Sequence, residues 1–138
     1  MVSHNHVMLV GDLVIWFYEY LAGIAPDDAN PGFKHIIMRP HPVGDLKFVK
    51  ATFRSPYGLI RSEWQKDAGA FHWQITVPLN TTATVYVPAN DVNTVTESGR
   101  NANAADGVRF VSTENDRAVF TVTSGDYEFR SEFRPSSP

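Results

Sequence analysis

The side chains able to do chemistry in this 138-residue sequence are few and scattered. His4 and His6 stand two apart, a spacing that diverges on a helix and chelates only from an extended segment. Neither an acidic residue nor a third histidine lies close by to complete a metal site. His35, His41 and His72 are spread along the chain and read as surface or satisfied positions. The carboxylate pair Asp27-Asp28 follows a helix-stop signal and precedes Asn30-Pro31, the chemistry of a solvated turn rather than of an acid/base dyad. There is no Gly-rich phosphate loop and no Gly-x-Ser-x-Gly elbow. The absence of cysteine excludes thiol nucleophiles, disulfides and Cys-ligated zinc. Tyr57, Trp64 and Tyr86 lie on strand-like runs and leave two readings open: stacking on sugar rings, as in a carbohydrate-binding module, or filling a core between sheets. Residue types alone assemble no complete active site, and they call for no cofactor and no metal.

The elements that must position these residues divide at about Pro26. Residues 6–22 read as one helix, stopped by Gly23 at a left-handed C-cap and by Pro26 beyond it, with Ser3 or Asn5 available to cap the start. Asn5, Asp12 and Glu19 recur every seven residues and share one narrow stripe, while Val7, Leu9, Val10, Leu13, Val14, Trp16, Phe17 and Leu21 cover most of the rest. A helix apolar on so many sides belongs inside a larger packed structure, so its partners are missing from this chain.

From Phe33 onward the hydrophobic period changes to 2. Phe71, Trp73, Ile75 and Val77 alternate with His72, Gln74 and Thr76, the pattern of a half-buried strand. Further strand-like runs cover 34–39, 46–54, 59–65, 82–87, 108–112, 118–123 and 127–133, with turn residues at 42–44, 55–58, 66–69, 115–116 and 124–126. The fold class is therefore mainly β, an antiparallel β-sandwich of about eight strands preceded by one N-terminal apolar α-helix. The polar stretch 90–106 reads as the longest loop, and the Pro-Ser-Ser-Pro end as a frayed tail.

Composition bounds the function classes. Hydrophobic residues make up 43% and charged residues 20%, a globular balance, and 3 Trp, 5 Tyr and 9 Phe supply material for a core. A net charge of −3 with no clustered basic face argues against nucleic acid or an anionic membrane as partner. The apolar N-terminal stretch lacks a basic n-region and is interrupted by Asp12 and Glu19, so it carries neither signal-peptide nor membrane-span character. The compartment is not legible.

Several strings resemble the C-terminal region of bacterial α-L-rhamnosidases. They are Ser3-His-Asn-His-Val-Met8, Trp16-Phe-Tyr-Glu-Tyr-Leu-Ala-Gly-Ile24, Pro31-Gly-Phe-Lys-His-Ile36 with Arg39-Pro40, Pro42-Val-Gly-Asp-Leu46, and Ser55-Pro-Tyr-Gly58. The series continues with the run from Pro78 to Pro88, Glu97-Ser-Gly99 and Ser124-Gly-Asp-Tyr-Glu-Phe129, in order over nearly the whole chain. The resemblance implies that 1–26 holds the last helix of an (α/α)₆ catalytic toroid, 31–134 a C-terminal β-sandwich, and 135–138 a tail. It implies that Asn5-His6 reaches the rhamnose pocket, with His6 hydrogen-bonding a ring hydroxyl to orient the sugar. Members of that family are inverting hydrolases of terminal α-L-rhamnose; both of their catalytic carboxylates lie in the toroid, and nothing in this chain matches either. The expected partners are a rhamnose-containing glycoside and the upstream catalytic domain. The isolated chain is expected to be inactive, and its exposed apolar helix would favour self-association. The alternative is a stand-alone, non-catalytic carbohydrate-binding or structural β-sandwich.

Overall fold

A computed structural model describes residues 22–26, 34–42 and 46–134. The helix expected over 6–22 lies outside these residues except for Ala22, which is a buried bend. Asn5, His6, Asp27, Asp28 and the tail 135–138 lie outside them as well.

Two sheets pack face to face. The smaller has five strands in the order β1 (Ile24–Pro26), β2 (His35–Met38), β6 (Thr82–Pro88), β10 (Arg117–Val122), β9 (Val108–Glu114). The larger has six, in the order β3 (Phe48–Ser55), β4 (Gly58–Asp67), β5 (Ala70–Val77), β11 (Gly125–Glu132), β7 (Thr96–Glu97), β8 (Arg100–Asn101). All eight runs read from the period-2 pattern form strands, joined by three short ones at 24–26, 96–97 and 100–101.

Period-2 alternation explains which side chains meet. Trp64 of β4, Phe71 and Trp73 of β5, and Phe129 of β11 point inward from the larger sheet; Val85 of β6 and Phe120 of β10 point inward from the smaller. Phe120 and Phe129 stack across the layers with ring centroids 5.9 Å apart. The hairpins are short because the turn residues accept positive φ. Ala68-Gly69, Ser98-Gly99 and Asn115-Asp116 each supply two consecutive positive-φ residues between paired strands, as a type I′ turn requires.

The expected all-antiparallel arrangement needs one correction: β2 and β6 pair in parallel, His35 opposite Thr82 through Met38 opposite Val85. Between them the chain makes three strands in the other sheet, β3, β4 and β5. An odd number of antiparallel strands returns it to the end from which β2 started, so β6 must run the same way. The stretch 90–106 is also more ordered than a plain loop, with two 3₁₀ turns at Val92–Thr94 and Ala102–Ala104 flanking the β7–β8 hairpin.

Candidate functional site

The chemistry of this domain concentrates where its N-terminal lead-in enters the sandwich. Ala22 is fully buried and Ile24 belongs to the core, so the lead-in enters the sandwich interior and continues as the edge strand of the smaller sheet. Its backbone is held on two sides. Gly23 accepts a hydrogen bond from the Arg39 N–H (2.8 Å). On the other side the Ser62 hydroxyl donates to the Ala22 carbonyl (2.8 Å) and accepts from the Trp73 indole N–H (2.9 Å). Ser62 and Trp73 are both buried, so the relay runs in a dry interior where each lost bond would leave an orphaned polar group.

Gly23 is required by space as well as by backbone angle. Its φ is +77°, and a Cβ there would sit 2.2 Å from the Arg39 carbonyl carbon, 2.3 Å from its oxygen and 2.3 Å from the Pro40 nitrogen. These are backbone atoms and cannot swing aside. The Arg39 side chain continues outward, stacking over the Tyr86 ring (4.0 Å to its centroid) and reaching Glu114 Oε1 (3.5 Å). One residue thus grips the lead-in through its backbone and clamps the outer face of the smaller sheet through its guanidinium.

The outer face of the larger sheet carries an open concavity of about 900 Å³, lined among others by Lys50, Glu63, Gln65, His72, Gln74 and Glu128. Phe48, 59% exposed, stands among them. Glu63 and Glu128 both neighbour Gln74, one strand away on each side, which puts them about 9–10 Å apart by strand spacing. That separation brushes the range of an inverting pair. The surface, however, is open, Glu128 is exposed, and Glu63 sits 3.3 Å from the Arg61 Nε. An open sheet face lacks the enclosing, water-poor walls that tune one carboxyl into a general acid.

The residues weighed for chemistry fall in separate places. His35 sits on β2 with its two ring nitrogens against the hydroxyls of Thr82 and Thr84, His72 lines the larger concavity, and half-buried His41 follows β2. Trp64 is 1% exposed and stacks on Phe71, so of its two readings the core one holds; Tyr86 is covered by Arg39, and Tyr57 alone of the three is exposed. Among the described residues no three His, Asp or Glu side chains gather as a metal site would need. Ser62 escaped the sequence reading, and Arg39 entered it only within the Arg39-Pro40 string, with no role attached. A serine at an inward position of an apolar strand was the available signal for the first, and nothing local marks the second.

The comparisons with known proteins fit this geometry. The family described as the bacterial alpha-L-rhamnosidase C-terminal domain matches residues 23–102, starting at the glycine of the junction. An alpha-L-rhamnosidase of Streptomyces avermitilis is 36% identical over 127 residues, covering 92% of this chain and 11% of that protein. One from Formosa agariphila is 29% identical over 131 residues, 95% of this chain and 14% of that protein. The structure of the Streptomyces avermitilis alpha-L-rhamnosidase complexed with L-rhamnose aligns at a TM-score of 0.75 and 35% identity, over 87% of this chain and 11% of that one. The structure of alpha-L-rhamnosidase from Dictyoglumus thermophilum aligns at 0.76 and 36% identity, over 94% and 14%. The chain therefore spans 11–14% of the length of these relatives.

Proposed function

The chain belongs to the bacterial α-L-rhamnosidase C-terminal domain family, and from that membership we propose that it is the C-terminal part of a glycoside hydrolase that removes terminal α-L-rhamnose. The sandwich braces the catalytic domain, and the segment before it contributes to the sugar pocket. The observation that carries the bracing role is the buried junction, in which Ala22 and Gly23 are fixed by Ser62, Trp73 and Arg39. A domain that merely trailed behind an enzyme would need no such grip on its lead-in.

The expected division gives 1–26 to the last helix of an (α/α)₆ toroid and 31–134 to the sandwich. Because Ile24–Pro26 pairs with β2 as an edge strand of the smaller sheet, in this reading the sandwich takes 24–134 and the toroid helix the residues before it. A helix over 6–22 rises about 1.5 Å per residue, so His6 lies roughly 24 Å along the axis from Ala22. A segment pinned at Ala22 thus presents Asn5 and His6 at a fixed distance from the sandwich. His6 donates to or accepts from a ring hydroxyl, and Asn5 supports the same pocket; the orientation they impose on the sugar lowers the entropic part of the barrier at the anomeric carbon. The acid and base of the inverting mechanism belong to the toroid. Without that toroid the apolar faces of 6–22 would drive the chain to associate.

The test is a His6→Ala variant of the polypeptide that carries both toroid and sandwich. Its kcat/KM on an aryl α-L-rhamnoside is expected to fall about 10- to 100-fold, which is about 1.4–2.7 kcal/mol of transition-state stabilisation. An unchanged kcat/KM would remove His6 from the pocket.

A further inference from the structure

A second, smaller concavity of about 230 Å³ opens at the sandwich edge between the 3₁₀ turns and β9. Asn93, Asn101 and Asn103 supply its polar lining, Phe110 and Phe120 its rings, and no charged residue takes part. Phe120 is buried and Phe110 packs edge-on against it at 5.7 Å, which leaves Phe110 38% exposed.

The amides stand on a prearranged support. The first turn is capped by Asp91, whose carboxylate accepts from the Asn93 N–H (2.9 Å), and the second by Asn101, whose Oδ1 accepts from the Asn103 N–H (3.0 Å). The two turns are tied together by the Ala102 N–H donating to the Val95 carbonyl (3.0 Å), and both of those residues are buried. Oδ1 of Asn101 is engaged by this cap, and Asn101 itself is one of the residues lining the cavity. The side-chain amides of Asn93 and Asn103 make no hydrogen bond among the described residues, and both are exposed.

We infer that this cavity is a binding site for a single neutral pyranose unit, formed by the three asparagine amides around the exposed ring of Phe110. Each free amide offers two donors and an acceptor in one plane, the complement of two vicinal hydroxyls. An exposed aromatic ring offers an apolar surface to the C–H face of a sugar. The lining carries no charged side chain to pair with an anion or a cation. The volume lies below the ~300–1,000 Å³ of sites that enclose drug-sized ligands, which suits one ring rather than a chain. The inference is independent of the hydrolase reading: a sugar held 80 residues or more after His6 needs no catalytic toroid to be detected.

The test is a ¹H–¹⁵N NMR titration of the chain with methyl α-L-rhamnoside and methyl α-D-glucoside, and in parallel with benzamide as a planar neutral amide. Saturable shifts confined to 91–105 and to Phe110 and its neighbours are expected with at least one glycoside, at a Kd of about 1–10 mM. They should weaken at least tenfold in Asn93→Ala/Asn103→Ala, whose replaced side chains are both exposed, and in Phe110→Ala if that variant keeps its dispersed spectrum. Absence of saturable shifts with both glycosides would overturn the site. So would shifts that persist in the double asparagine variant, or that benzamide alone produces.

Discussion

Gly23 shows how one residue can be marked in a sequence for a reason only partly its own. Gly23 with Pro26 three positions on reads as a left-handed helix stop, and its φ of +77° is left-handed. What no local pattern reveals is that Arg39 and Pro40, sixteen and seventeen positions on, press their backbone against its Cα. Gly99 provides the control, with φ +84° and no atom within 4 Å of an added Cβ. Gly99→Ala should therefore cost only the backbone strain, about 1 kcal/mol. Gly23→Ala adds a clash with immobile backbone and should cost at least about 3 kcal/mol. Equilibrium urea unfolding of the two variants tests the ordering; equal losses would mean the junction is looser than its contacts indicate. Trp64 makes the converse point. Its strand placement admitted both a sugar platform and a core position, because alternation gives the two faces of a strand but not which face is covered. Its neighbours Phe71 and the facing sheet decide for the core.

The long strands were legible because eight residues of clean alternation outweigh any single propensity. Strands β1, β7 and β8 have three, two and two residues, too few to show a period, and they exist only because a neighbour offers a ladder. The parallel pairing of β2 with β6 was equally hidden, since period 2 carries no direction. The junction is likewise a property of elements rather than of one side chain. Ser62 on β4 joins Trp73 on β5 to the lead-in of β1. Ser62→Ala strands a buried indole N–H and a buried carbonyl together, and should lower stability by about 1–3 kcal/mol. In the toroid-bearing protein the same variant should lower the thermal midpoint of the sandwich while leaving kcat little changed. Calorimetry paired with an activity assay reads both; a stable variant would show that the relay does not hold the junction.

At the scale of the molecule, the sandwich closes its own core with Trp64, Phe71, Trp73, Phe120 and Phe129, and on the proposed reading its lead-in continues into the catalytic domain. The apolar surface of 6–22 and the firm grip on Ala22 and Gly23 make sense together if one domain is fastened to another. The ordered series of strings made the family legible from the sequence, because turns and caps constrain residue types at fixed spacings. The junction was not legible because it joins residues as far apart as Ala22 and Trp73. The asparagine-lined cavity was not because the stretch 90–106, read as a plain loop, shows no period that would reveal its two 3₁₀ turns. The most direct measurement is hydrolysis of an aryl α-L-rhamnoside by this chain alone and by a polypeptide in which the proposed (α/α)₆ domain is joined ahead of Met1. The account predicts no turnover by the chain alone and turnover by the joined polypeptide. Turnover by the chain alone, or a joined polypeptide that folds and leaves rhamnosides intact, would contradict it.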